Sequence, residues 1–198
     1  MYRTSGGVVL EIRGSPSEFE YYTRWVKPLF DAVVGIKATP TRREYRGGHV
    51  IGIRSSKKEV FLLFHRSLGF PLGKKSRTVR VPRIIIRNAD LWSDYVRGVF
   101  DTDGSIYLRR VRKNRAYRHP VVDIFTSSAP HKAQLHNMIR KLGFNCWLEK
   151  NKVRMAGWST VKRFFAIIKP HNQVHMKRFN DFYTHRGYEA HRSHLTDP

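Results

Sequence analysis

The chain repeats itself. The segment VVLEIRGSPSEFEYYTRWVKPLF, starting at Val8, runs parallel to VVDIFTSSAPHKAQLHNMIRKLGF, starting at Val121, and SSKKEVFLLF, from Ser55, runs parallel to GWSTVKRFFAI, from Gly157. A duplicated pattern restricts the fold to two copies of one supersecondary unit, each burying the same faces. Within the first copy, VVLEIRG has strand composition, and SPSEFEYYTRWVKPLFDAV opens with a Ser N-cap, Pro and Glu in the first turn and apolar residues at helical spacing.

Further along, VGIKATPTRR and HVIGIRSS flank the turn-like EYRGG as a hairpin, and KKEVFLLFHRSLG reads as a helix ending at Gly69. FPLGKKSRTVRVPRIIIRN is then a loop, followed by the helix ADLWSDYVRGVFDTD with Asn88 or Asp90 as expected N-cap. SIYLRRVRK with HPVVDIFTS, and FNCWLEK with KVRMAGW, form two more hairpins, each followed by a helix. The second copy therefore reads α-ββ-α-ββ-α. The first lacks its opening: Val121 follows a whole helix and strand, whereas its counterpart Val8 stands close behind Met1. One helix and one strand are expected upstream of Met1, so residues 1–88 are assigned to a first repeat without its motif helix and first strand, and 89–198 to a second repeat that has the helix.

Charge narrows the partner. Thirty-eight Lys and Arg against fifteen Asp and Glu give a formal net charge of +23, spread along the chain, which suits a polyanion. No apolar stretch is long enough to span a bilayer, so nucleic acid is expected rather than membrane. Cys146 is the only cysteine, which excludes an intramolecular disulfide and a cysteine-cluster zinc site and points to a reducing compartment, the cytoplasm, with the protein on the nucleoid. The histidines of the tail, His185, His191 and His194, lack a paired ligand pattern and are not read as a metal site. Phe61, Phe64, Phe164 and Phe165 fall in helical apolar runs and read as core rather than as a stacking platform for RNA.

Against that charge, VRGVFDTDG places two acids, Asp101 and Asp103, at the foot of one helix. Gly98 removes a side chain from that helix and permits close approach of a second backbone. A carboxylate at the C-terminal end opposes the helix dipole, a penalty that a bound hard cation reverses.

This segment resembles the signature of the LAGLIDADG homing endonucleases, with Gly98, Asp101, Asp103 and Gly104 at the matching places. The loop LGFPLGKKSRTVRVP is similar to that family's inter-repeat connection, and the element order agrees along nearly the whole chain. The resemblance implies an α/β (α+β) fold of two pseudo-symmetric α-ββ-α-ββ-α repeats whose antiparallel sheets form a saddle over duplex DNA. It implies metal-dependent, site-specific double-strand cleavage of a long intron-insertion target, with Mg²⁺ or another divalent cation as cofactor. By position, Asp103 becomes the metal ligand, the Thr102 carbonyl a further ligand, Asp101 a cap or support of the helix end, and Gly104 the turn into the first DNA-facing strand. The family's basic residue near the scissile phosphates falls on Lys75 or Lys74 in the first repeat, and on His175 or Lys177 in the second.

Alternation splits SIYLRRVRK into an apolar face, Ile106 and Leu108, and a face bearing Tyr107 and Arg109. KVRMAG likewise buries Val153 and Met155 and presents Lys152 and Arg154, and the first repeat offers Arg42, Arg43 and Arg46 around its hairpin. A two-stranded ribbon with such a face fits the major groove, where Arg reads guanine bidentately. The missing motif helix leaves three explanations: a longer gene product, a second acid recruited from a partner, or lost catalysis. It also leaves the face around Gly98 and Val99 unmatched, so self-association is expected. The competing function is a non-cleaving nucleic-acid binder, a regulator or a splicing maturase that takes intron RNA.

Overall fold

Two antiparallel strands open the chain, β1 (Tyr2–Thr4) pairing with β2 (Gly7–Gly14). In this computed structural model residues 1–4, 7–45, 48–73, 77–111 and 114–186 are described. They divide into two units between Asn88 and Ala89.

After β2, Ser15 begins a helical run through a capping box: its hydroxyl accepts from the Ser17 N–H at 3.4 Å, while Glu18 accepts from the Ser15 N–H at 2.8 Å. The run continues as α1 (Phe19–Tyr21), a wider π stretch Tyr22–Val26 and α2 (Lys27–Val34), and stops at Gly35 in the left-handed conformation (φ 69°). β3 (Thr39–Tyr45) and β4 (Gly48–Ser55) form the expected hairpin, and α3 (Lys58–Leu62) follows with a π extension Leu63–Ser67. The sheet runs β1-β2-β4-β3, all antiparallel. Leu10 and Ile53 from its inner face pack with Phe30, Val60 and Met1, and Phe61 and Phe64 close over them. The first strand expected to be missing is thus present in short form, as β1.

α4 (Arg83–Arg87), behind Pro82, occupies part of what reads as loop in the sequence. A 3₁₀ turn, Ala89–Leu91, leads into α5 (Trp92–Asp103), so the helical run starts directly after Asn88, with Asp90 inside its first turn. β5 (Gly104–Val111), β6 (Asn114–Phe125), α6 (Ala129–Lys141, capped by the Ser128 hydroxyl), β7 (Trp147–Glu149), β8 (Lys152–Ala156) and α7 (Trp158–Ile168) complete the second copy. Its sheet order, β5-β6-β8-β7, repeats that of the first unit element for element. Ile106, Val122, Ile124, Val153 and Met155 line one sheet face and are fully buried together with Val96 and Phe100 of α5, Leu135 and Ile139 of α6, and Val161, Phe164 and Ile168 of α7.

A further helix, α8 (Gln173–Asp181), with a π extension Phe182–Arg186, follows where the sequence suggests only a basic segment. Its signal is local: the Asn172 side-chain oxygen accepts from the Val174 N–H at 3.0 Å.

Candidate functional site

The two acids of D-T-D-G separate completely. Asp101 is 1% exposed and turns inward, where its carboxylate accepts the backbone N–H groups of His171 (3.0 and 3.2 Å) and Asn172 (3.2 Å) at the start of α8. The Asn172 amide returns a hydrogen bond to the Asp101 carbonyl at 2.7 Å. Four residues earlier, Arg97 Nε donates to the Ile168 carbonyl at the end of α7 (2.6 Å) and its guanidinium pairs with Asp94 (2.8 Å). α5 is therefore pinned at two levels by charge-assisted hydrogen bonds.

Asp103, the last residue of α5, is exposed. The Thr102 hydroxyl stands 3.0 Å from the Gly98 carbonyl and 3.2 Å from Asp103 Oδ2, so its single proton is shared between the helix and that carboxylate. The carboxylate sits at the carbonyl end of a helix, where the dipole adds negative potential. A hard oxygen donor set of carboxylate and carbonyl fits Mg²⁺, which keeps most of its waters and takes one or two carboxylates from protein. Among the described residues no group of three His, Cys, Asp or Glu gathers around a single point.

The glycines of the motif do different work. Gly104 has ordinary extended dihedrals (φ −92°, ψ 167°), but a Cβ there would lie 2.3 Å from both the Phe100 carbonyl oxygen and its ring, so glycine is required by close approach rather than by turn geometry. Around Gly98 nothing stands within 4 Å of where a Cβ would be, among the described residues.

Behind the motif, the Tyr95 hydroxyl lies 2.9 Å from His131 Nε2, and His131 Nδ1 lies 3.1 Å from the Thr126 hydroxyl, a polar chain joining α5 to α6 that no motif announces. Burial holds His131 down to about 4, so its ring is neutral at physiological pH. Burial, and secondarily the Asp103 carboxylate, push the Tyr95 hydroxyl up.

The basic residues expected near the chemistry fare unequally. Lys74, Lys75 and Arg46 lie outside the described residues. Lys177 is exposed on α8. His175 is 6% exposed and lies against Phe100, the ring centroids 4.7 Å apart and the planes tilted by 41°. Burial, reinforced by Arg178, lowers it to about 4. The helix that carries it turns it into the core rather than towards solvent.

Of the strand residues expected to face DNA, Arg109 is exposed and unpaired among the described residues, opposite His119, which burial and then Arg109 hold below the usual histidine range. Tyr107, Lys152 and Arg154 share that face with Asp123 of β6, which is 1% exposed. Arg154 grips Asp123 with two parallel bonds (2.7 and 2.8 Å), donates to the Tyr107 hydroxyl (2.7 Å) and pairs with Glu149. Lys152 and Tyr107 donate to Asp123 at 2.9 and 3.0 Å. Burial alone would raise the Asp123 carboxyl, yet these donors hold it below the usual carboxylate range. The expectation that Arg154 presents its guanidinium outward is corrected: it is 5% exposed, its donors committed to carboxylates across the strands.

In the first unit, Arg42 and Arg43 are neighbours on β3 and so point to opposite faces. Arg43 lies 3.5 Å from Glu11 on the outer face, whereas Arg42 lines a cleft on the helix side with Phe19, Tyr22, Lys27 and Ile51. Arg42 is thus corrected out of the outer-face set.

No protein-family model matches the sequence, and no curated protein does. Solved structures do match. The meganuclease I-SmaMI bound to uncleaveable DNA superposes with a TM-score of 0.58 at 13% identity, over 98% of this chain and 86% of that one. I-DmoI in complex with its target DNA in the presence of magnesium gives 0.55 at 11% identity, over 85% of each chain. Full-length WhiA from Thermatoga maritima gives 0.50 at 14%, over 89% of this chain and 53% of that one. The fold of this chain is that of the LAGLIDADG homing endonucleases, two antiparallel four-stranded sheets backed by helices, as the motif resemblance implied.

Proposed function

We propose that this protein binds duplex DNA and cleaves it site-specifically with a divalent cation held at Asp103, in the manner of an intron-homing endonuclease. The observation that carries the reading is the division between the two motif acids: Asp101 is spent on structure, while Asp103 is offered to solvent at the end of a helix that hydrogen bonds hold in place. A fold shared with two nucleases solved on DNA, and a charge of +23, support the partner.

In the hydrolysis, a water oxygen bonds to phosphorus as the bond to the leaving sugar oxygen breaks; the attacking water gives up a proton to solvent, and the leaving oxygen takes one from solvent to become a hydroxyl. A cation at Asp103 would supply Lewis-acid stabilisation of the negative charge that develops on the phosphate oxygens. The protein's own part is positional. Arg97 and Asp101 fix the height of the helix end, Thr102 orients the carboxylate, and Arg109, with Lys177, supplies cationic surface for the backbone.

Among the described residues the first unit has no counterpart of α5, so a double-strand cut requires a second carboxylate brought against the open face around Gly98 by another copy or by further polypeptide. That requirement favours one competing reading, a binder that keeps the fold without cutting. Asp103→Asn separates them. A nuclease loses metal-dependent nicking and keeps its affinity; a binder shows no nicking in either form.

A further inference from the structure

The two sheets carry the same buried carboxylate. In β1–β2 Tyr2 stands opposite Val9, and Glu11 follows two residues later; in β5–β6 Tyr107 stands opposite Val121, and Asp123 follows two residues later. Glu11 pairs in register with Arg54 of β4, Asp123 with Arg154 of β8. Tyr2 donates to Glu11 at 2.9 Å, as Tyr107 does to Asp123 at 3.0 Å. Both carboxylate side chains are almost wholly buried, 3% and 1% exposed. Their cations differ in origin: Arg13 and Arg43 gather on Glu11, Arg154 and Lys152 on Asp123. Burial would raise Glu11 as it would Asp123, but Arg13 and Tyr2 hold it low. Two strand-centre acids with a tyrosine each, at one place in both repeats, form a duplicated device.

We infer that Glu11 and Asp123 are positioning residues that immobilise the centre of each outer sheet face and offset its positive charge, fully at Asp123 and in part at Glu11, so that the cations able to attract phosphate stand away from it. The inference rests on the DNA-binding reading. Around Asp123 the charges cancel, Asp123 and Glu149 against Lys152 and Arg154. Such a patch offers fixed hydrogen-bonding geometry and little field. Arg109, on the same face and exposed, carries its charge unmatched among the described residues. A polyanion is therefore drawn to Arg109 and meets a rigid, neutral surface at Asp123. Without the acids, Lys152 and Arg154 on one sheet, and Arg13 and Arg43 on the other, would each turn unmatched positive charge towards any duplex.

The salt dependence of binding reads this directly, because each phosphate neutralised adds about 0.9 to the slope of log affinity against log salt. The probe is a duplex of random sequence, with binding followed by fluorescence anisotropy and folding checked by circular dichroism. Arg109→Ala should flatten the slope by about one phosphate, while Lys152→Met should leave it unchanged. Asp123→Asn and Glu11→Gln should each steepen it by about one, an extra loss of roughly three- to fourfold between about 50 and 200 mM salt. If Asp123→Asn does not fold, Glu11→Gln and Lys152→Met decide. A merely structural role would lower stability and leave every slope but that of Arg109→Ala as it was. The inference is overturned if neither acid variant steepens the slope, or if Lys152→Met flattens it as much as Arg109→Ala. A wild-type protein that ignores the duplex overturns the DNA reading itself, and the inference with it.

Discussion

Asp101 and Asn172 hold each other through reciprocal hydrogen bonds: the Asp101 carboxylate accepts the Asn172 N–H at 3.2 Å, and the Asn172 side chain donates to the Asp101 carbonyl at 2.7 Å. The end of α5, which carries Asp103, is thereby fixed by the start of α8.

Asp101→Ala strips the carboxylate acceptor from two backbone N–H groups, one of them on fully buried Asn172, and removes a helix-terminal anion, a loss of about 2–4 kcal/mol. Asp103→Ala, at an exposed position that the helix dipole disfavours, should stay within about 0.5 kcal/mol of wild type. Thermal unfolding of the two variants side by side checks the division of labour; equal losses would refute it.

The motif glycines should behave oppositely. Gly104→Ala drives a methyl to 2.3 Å from the Phe100 carbonyl and should cost about 2–4 kcal/mol. Gly98→Ala meets open space and should stabilise the isolated chain by up to about 1 kcal/mol, the helix-propensity gain of alanine. If another helix packs on that face, Gly98→Ala should also lower DNA cleavage and shift sedimentation towards monomer.

Acid should destabilise the second unit before its carboxylates titrate. Burial holds His131 and His175 down to about 4 in the fold, against 6.5 for an unburied histidine. As pH falls the unfolded chain takes up protons first, so the stability of the neutral rings is fully present above 6.5 and is lost as pH falls through 4. Each ring contributes a slope of at most about 1.4 kcal/mol per pH unit within that window. Melting curves between about pH 7 and pH 5 should show the decline, and His175→Leu should make it shallower. A flat profile in wild type would count against burial as the state of these histidines.

Much of the architecture was legible because it is written in local chemistry. Ser15 with Glu18, and Gly69, punctuate the first copy, and alternation in SIYLRR and KVRMA assigns the core faces that Ile106, Val153 and Met155 occupy. The duplicated carboxylate was not legible, because an ungapped alignment of VVLEI with VVDIF sets Glu11 against Ile124. The strand register instead matches Glu11 to Asp123, and a one-residue slip moves a side chain to the other face. Alternation could place Arg154 on the outer face but not reveal that Asp123 and Glu149, on neighbouring strands, consume its charge. α8 escaped for a related reason: its start is held by Asp101, 70 residues away, and QVHMKRFND is polar overall.

The central claim is that Asp103 holds a catalytic cation over duplex DNA. The most direct test is cleavage of a supercoiled plasmid carrying the intron-free insertion site, with Mg²⁺ or EDTA, comparing wild type with Asp103→Asn. The account predicts metal-dependent nicking or cutting by wild type, abolished by EDTA and by Asp103→Asn while affinity for the site persists. Cleavage that survives Asp103→Asn, or a wild type that binds the site tightly and never cuts it, would contradict it.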